Sequence, residues 1–284
     1  YLDGQLLFDA TRFEDELADA TGVGIALQGP AGAAHVSDFE AHPRHCRVPP
    51  ELDLGGPWSH FGTLVVLAED FGGPARDLAG KPTTVGGRVW TRLLGSGHVD
   101  VSGTGCGKVR ATRERANPGR LAYTVEWGSP DFADLEVEIT PPGQRRGQGE
   151  RGRSGLILYQ DAENYLTLNV WLEDTYGGAS ISSFFHLDGF EDLYDAIWTN
   201  VGDRVIWGRP LHFRVTFDGM HYQVAIDGEP VLYRALTDVY PDARTLEINR
   251  VGLLANWEWG NDTGSEFRRF RGRAGRYRRG VGRH

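Results

Sequence analysis

The stretch LHFRVTFDGMHYQVAIDGEPVLY, Leu211–Tyr233, decides the fold. Phe213, Val215 and Phe217 alternate with His212, Arg214 and Thr216, and Tyr222, Val224 and Ile226 continue the apolar side. A period of two turns one face of a strand into a core and the other toward water. Asp218-Gly219 and Asp227-Gly228 suit the positive φ of tight hairpins. The segment therefore predicts three antiparallel strands in a meander.

The same period recurs upstream and downstream. Leu121, Tyr123, Val125 and Trp127 form one apolar face, and Leu135, Val137 and Ile139 another. Leu166, Leu168, Val170 and Leu172 alternate with Tyr165, Thr167, Asn169 and Trp171, and Val251, Leu253, Ala255 and Trp257 give a later strand. The Gly- and Arg-rich run from Gln144 to Ser154 predicts a mobile loop. A helix is predicted only around Arg12 to Ala20. Many short strands between polar turns read as an all-β sandwich.

Composition agrees. The 284 residues include 8 Trp, 13 Phe and 10 Tyr, with 40% apolar residues, enough for a large core. No apolar run approaches ~18 residues, so no membrane span is predicted. The chain opens at Tyr1 without an initiator Met or leader and reads as a processed chain or a fragment. Its net charge is −9. Eight arginines lie between Arg268 and Arg283, and no acid follows Glu266. The 22 basic and 39 acidic residues before Arg268 balance at −17. Such an end reads as a solubilising tail or a junction rather than a nucleic-acid site. Cys46 and Cys106 allow one disulfide or two free thiols and carry no metal signature.

Five segments in order carry a family resemblance. AEDFGGPARDLAGKPTTVGGRVWTRLLGSGHVDVSG, from Ala68, is followed by PDFADLEVEI, GLILYQDAENYLTLNVWL, FDGMHYQVAIDGEPV and RVGLLANWEWGNDTGSEFRRFRGR. Together, over about residues 67–273, they resemble concanavalin A-like (laminin G-like) lectin and glucanase domains. The resemblance implies an antiparallel two-sheet jelly-roll sandwich. It leaves function open, since this fold hosts lectins, hydrolases, lyases and adhesion modules.

A partial internal repeat is also readable. YLDGQLLF, Tyr1–Phe8, resembles AIDGEPVLY, Ala225–Tyr233, and Val23–Arg44 resembles Val251–Arg273. The expected organisation is terminal strands of a preceding sandwich over 1–48, a linker over 49–66, the main sandwich over 67–273 and a basic tail over 274–284. An orphan part of a sandwich exposes strand edges, so residues 1–48 are expected to contact other copies or domains.

Three groups of residues invite chemistry. Asp134, Glu136 and Glu138 share a strand face and resemble the Glu-x-Asp-x-Glu strand of laminarinases, which implies Glu136 and Glu138 as nucleophile and acid/base. Same-face neighbours on a strand lie ~6.7 Å apart, more than the ~5–5.5 Å of a retaining pair, so a solvated carboxylate face competes with that reading. Tyr165, Thr167, Asn169 and Trp171 form a face on which aromatic rings cover sugar C–H groups while amides and hydroxyls read sugar hydroxyls. Asp188, Glu191, Asp192 and Asp195 lie in an acidic-aromatic loop whose oxygens suit Ca²⁺. His186 with Tyr165 or Tyr176 is a further pair for lyase chemistry.

The reading favoured by these residues is a non-catalytic glycan-binding or adhesion module of a larger extracellular or surface-appendage protein. Its partner is then a polysaccharide or glycan, with no nucleic acid. The alternatives are a structural assembly repeat of a phage tail or cell-surface fibre, and a glycoside hydrolase or polysaccharide lyase.

Overall fold

The structure, a computed structural model, describes residues 61–95, 97–110, 120–143, 150–173, 178–191, 197–238, 240–255 and 262–276. The chain divides into Tyr1–Pro43 and Arg44–His284, and all described residues belong to the second unit. The expected N-terminal repeat and helix, Cys46, Tyr176, Asp192, Asp195, Trp257 and residues 277–284 lie outside the described residues.

The strands are β1 (Phe61–Glu69), β2 (Arg76–Asp77), β3 (Thr91–Leu94), β4 (His98–Ser102), β5 (Cys106–Arg110), β6 (Leu121–Glu126), β7 (Asp134–Thr140), β8 (Arg151–Asp161) and β9 (Asn164–Glu173). They continue as β10 (Gly178–Leu187), β11 (Phe190–Glu191), β12 (Ile197–Asn200), β13 (Leu211–Phe217), β14 (His221–Ile226), β15 (Glu229–Ala235), β16 (Arg250–Ala255) and β17 (Glu266–Arg276). One sheet runs β15-β14-β13-β7-β17-β5-β4-β2, with β1 on the second half of β17. The other runs β11-β10-β9-β8-β16-β6-β3, with β12 also on β10. All pairs are antiparallel, and the chain is a two-sheet β-sandwich of the jelly-roll class.

The alternating apolar residues meet between the sheets. Leu135, Val137 and Ile139 of β7, Phe213, Val215 and Phe217 of β13, and Leu166, Leu168 and Val170 of β9 form one buried core with Val251 and Leu253 of β16. Burial of such side chains is the main stabilising term, ~1.5–3 kcal/mol each.

The segment after β1 is a structural corner. Glu69 is wholly buried and accepts hydrogen bonds from Lys81 Nζ at 2.7 and 2.8 Å, Trp90 Nε1 at 3.3 Å and the Phe71 amide at 2.5 Å. A buried carboxylate survives only with such partners. Phe71, at φ 53°, turns its ring into the core, where only Gly107 leaves room: a Cβ there would stand 2.9 Å from Phe71 Cδ1. Trp90 packs edge-on against Phe270 at 5.2 Å. The acidic-Phe and Trp positions of the quoted motif thus fix one end of the sandwich.

The turns follow their sequences, with two differences. Asp227 and Gly228 have φ 51° and 88°, the type I′ pattern of a two-residue hairpin. At Asp218-Gly219 only the glycine has positive φ. There the Asp218 carboxylate accepts from the Met220 and His221 amides at 2.9 and 2.6 Å, closing a longer turn. Asp188 and Gly189, read as part of a long loop, have φ 50° and 77° and join β10 to β11 as a tight hairpin.

Three boundaries move. The linker expected over 49–66 overlaps β1, which already pairs with β17 from Phe61. The loop expected over Gln144–Ser154 yields its last four residues to β8. β17 extends past 273 to Arg276, and the arginines read as the start of a tail alternate along a strand opposite acids.

Candidate functional site

Both sheets have an outer face, and the two differ in chemistry. On the nine-stranded sheet that face is ionic. Asp134 and Glu136 of β7 are buried and share Arg273 of β17. Arg273 Nη1 donates to Asp134 at 2.7 Å and to Glu136 at 2.8 Å, and Nη2 donates to Glu136 at 2.7 Å. Arg214 of β13 donates to Asp134 at 2.9 Å, His212 lies 3.5 Å from Glu136, and Arg269 lies 3.5 Å from Glu138. Burial alone would raise the Glu136 carboxyl, but hydrogen bonds and charge from Arg273, with His212 and Arg214, hold it below the ordinary carboxylate value. A general acid needs the opposite shift. The resemblance that marked Glu136 and Glu138 as acid/base therefore meets a cross-strand ion-pair ladder, in which these carboxylates bind β7 to its neighbours.

The outer face of the eight-stranded sheet is aromatic, apolar and largely uncharged. Cross-strand register sets its rows. Tyr159, Tyr165 and His186 are opposite one another on β8, β9 and β10. Thr167 lies between Ile157 and Phe184 in the next row, Asn169 between Gly155 and Ser182, and Trp171 between Arg153 and Ser180. The four residues expected to share a face do so. They were expected to be exposed, and that is corrected: Tyr165 is 5%, Thr167 0%, Asn169 0% and Trp171 3% exposed. Alternation shows only which side chains turn away from the core. Here that side carries its own apolar cluster, with Ala122, Ile157, Phe184 and Leu254.

The contacts on this face are specific. Tyr159 stacks on Tyr165 at 5.9 Å and Tyr165 on His186 at 5.1 Å, and the Tyr165 hydroxyl accepts from Arg120 Nη1 at 3.4 Å. The Arg153 guanidinium lies 3.7 Å over the Trp171 ring, a cation–π contact. Deeper in, three buried polar groups are orphaned. Among the described residues, Thr167 Oγ1, Asn169 Oδ1 and Ser182 Oγ have no hydrogen-bond partner. A buried polar atom left unsatisfied costs ~1–3 kcal/mol. All three lie on adjoining rows of one face, in side chains with no exposure to solvent.

For the acidic loop, Asp188 is exposed in the β10–β11 turn, and the backbone of Glu191 pairs with His186 in β11. Among the described residues no group of three or more His, Cys, Asp or Glu side chains could hold a metal ion.

No protein-family model matches the sequence, and no curated protein matches it. Solved structures with a similar trace include the carbohydrate-binding module CBM66 from Bacillus subtilis, at 15% identity and TM-score 0.42, covering 63% of this chain and 91% of that one. A glycosyl hydrolase family protein from Mycobacterium fortuitum is similar at 13% identity and TM-score 0.48, over 73% and 99%. The Crh5 transglycosylase is similar at 14% identity and TM-score 0.49, over 77% and 86%.

Several residues of this face were not singled out from sequence. Tyr159, Arg153 and Ser182 become neighbours of the predicted four only through strand register. β10 hides its pattern: Ser183 points into the core and accepts a hydrogen bond from Tyr222 at 3.0 Å, while Phe184 points out. The polar–apolar alternation is inverted there, and no period-two reading finds it.

Proposed function

We propose that the chain is a non-catalytic glycan-binding module, with its site on the outer face of the eight-stranded sheet. The site runs from the Tyr159–Tyr165–His186 row inward to Thr167, Asn169 and Ser182. The observation that carries the reading is the trio of orphaned, buried oxygens beside stacked aromatic rings. Thr167, Asn169, Ser182, Ile157 and Phe184 are fully buried in the free protein, so a sugar reaches these oxygens only when the side chains over them swing aside; its hydroxyls then satisfy the oxygens while its C–H groups pack on Ile157 and Phe184. The neutralised carboxylates of β7 supply no acid pair, which favours binding over hydrolysis. The same reading places the module in a larger extracellular or surface protein, in an adhesive role.

The test is a glycan array with the wild type and Thr167→Val. Valine keeps the shape and removes the oxygen, so the variant should bind about tenfold more weakly while the free protein gains ~1 kcal/mol, because an unsatisfied buried hydroxyl is gone. If no glycan is retained, or if Thr167→Val binds as the wild type does, the reading fails.

One observation favours a second reading. His186 and Tyr165 are cross-strand neighbours with rings 5.1 Å apart, and a lyase needs a base and an acid side by side. Any glycan retained on the array is incubated with the protein, and an unsaturated product would convert the binding site into an active site.

A further inference from the structure

The row that begins at His186 does not end at Tyr159. Register carries it on to Arg250 of β16, which lies opposite both Tyr159 and Glu126. There the surface opens into a cleft of about 340 Å³ lined by Gly87, Arg88, Val89, Thr91, Glu126 and Arg250. From Glu126 on β6 to His186 on β10 is four strand spacings, ~19 Å, the reach of a short oligosaccharide.

The cleft holds two guanidinium groups against one carboxylate, in a chain whose net charge is −9. Arg250 is braced from behind: Nε donates to Thr124 Oγ1 at 2.8 Å and Nη2 to the Thr124 carbonyl at 3.4 Å. Its Nη1 is left with Glu126 at 3.9 Å, beyond hydrogen-bond length. The Arg88 guanidinium lies on the Cα of Gly128, where a Cβ would stand 2.3 Å from Nη2. Gly128, at φ +68°, thus gives Arg88 its seat. Among the described residues the Arg88 guanidinium has no ion-pair or hydrogen-bond partner. A braced guanidinium and one without a partner thus line the same cleft, and each has N–H groups left to donate to a carboxylate. Val89, 54% exposed at the mouth, adds an apolar surface for a sugar ring.

We infer that this cleft is a subsite for an acidic sugar, and that the preferred ligand is a uronate-containing polysaccharide whose carboxylate is held by Arg88 and Arg250. The inference rests on the glycan-binding reading and adds the ligand's charge class.

The experiment compares polygalacturonate and alginate with their carboxyl-reduced, neutral forms in affinity electrophoresis, followed by calorimetry with defined oligomers. The wild type should bind the acidic forms and lose about 10- to 100-fold on carboxyl reduction, the loss expected for charge-assisted hydrogen bonds. Arg88→Ala should lose as much on the acidic forms only, and added salt should weaken the wild type more than the variant. Arg88 is exposed, so the variant should keep the wild-type Tm. Equal binding of neutral and acidic forms, or full binding by Arg88→Ala, overturns the acidic subsite and leaves the glycan reading standing. A sulfated glycan preferred over every uronate overturns the carboxylate assignment. Failure to bind any glycan, acidic or neutral, overturns both.

Discussion

Replacing Arg273 by Met should destabilise the sandwich by about 3 kcal/mol, a value that follows from its contacts. Arg273 is the one cation hydrogen-bonded to both Asp134 and Glu136 among the described residues. Removing one partner of a buried pair costs ~3–5 kcal/mol, because the other charge stays behind. Two features bring the cost to the lower end. The Arg273 side chain is 23% exposed, so water screens part of the attraction. Arg214 and His212, at 2.9 and 3.5 Å, remain beside the carboxylates. Met retains the aliphatic volume, so the loss reports charge more than cavity. For a sandwich of this size it amounts to about 6–12 °C in Tm.

The pH dependence has a definite sign. The Glu136 carboxyl is held below its unfolded value, so its contribution is complete above the unfolded pKa of ~4.3 and is lost as pH falls through the lower folded value. The gap between wild type and variant should be widest near neutrality and narrow in acid. Urea unfolding at neutral pH and at about pH 3 measures both ends. A loss below about 1 kcal/mol at neutral pH, the range of exposed pairs, would refute the buried ladder. A gap that grows in acid would refute its assignment to Glu136.

Lys81→Met should cost about 3 kcal/mol in the same assay, because it strands the buried Glu69 carboxylate, and Glu69→Gln in that background should recover part of the loss. Gly228→Ala should cost about 1–2 kcal/mol and Gly228→Asn less, since the position sits at φ 88° in the hairpin; equal losses would mean that the turn relaxes. Cys106 is a buried free thiol pushed up to about 11 by burial and by Glu266. Peptide mapping should therefore find it nearly unalkylated at mildly alkaline pH until urea unfolds the chain. Rapid modification in the native state would contradict that burial.

Much of the fold is local in origin. The alternation in β6, β7, β9, β13, β14 and β16 is written in consecutive residues, as is the Asp227-Gly228 turn, and these give an antiparallel sandwich. The Asp188-Gly189 turn carries the same signal and was masked by the acids around it. The four side chains Tyr165, Thr167, Asn169 and Trp171 also fall on one face by period two alone.

What the sequence could not determine is what each face meets, because burial depends on partners distant along the chain. The arginines from Arg268 onward read as a free basic end; register places Arg273 against Asp134 and Glu136, some 140 positions earlier, and converts charge into adhesion between strands. The polar face of β9 reads as solvated; apolar neighbours from β6, β8, β10 and β16 enclose it and leave three oxygens orphaned. Arg88 and Arg250, 162 residues apart, become one cleft only when β3, β6 and β16 lie side by side. Periodicity is local and fixes the strands, whereas charge pairing, enclosure and the site itself are sums over residues that only strand register brings within a few ångströms.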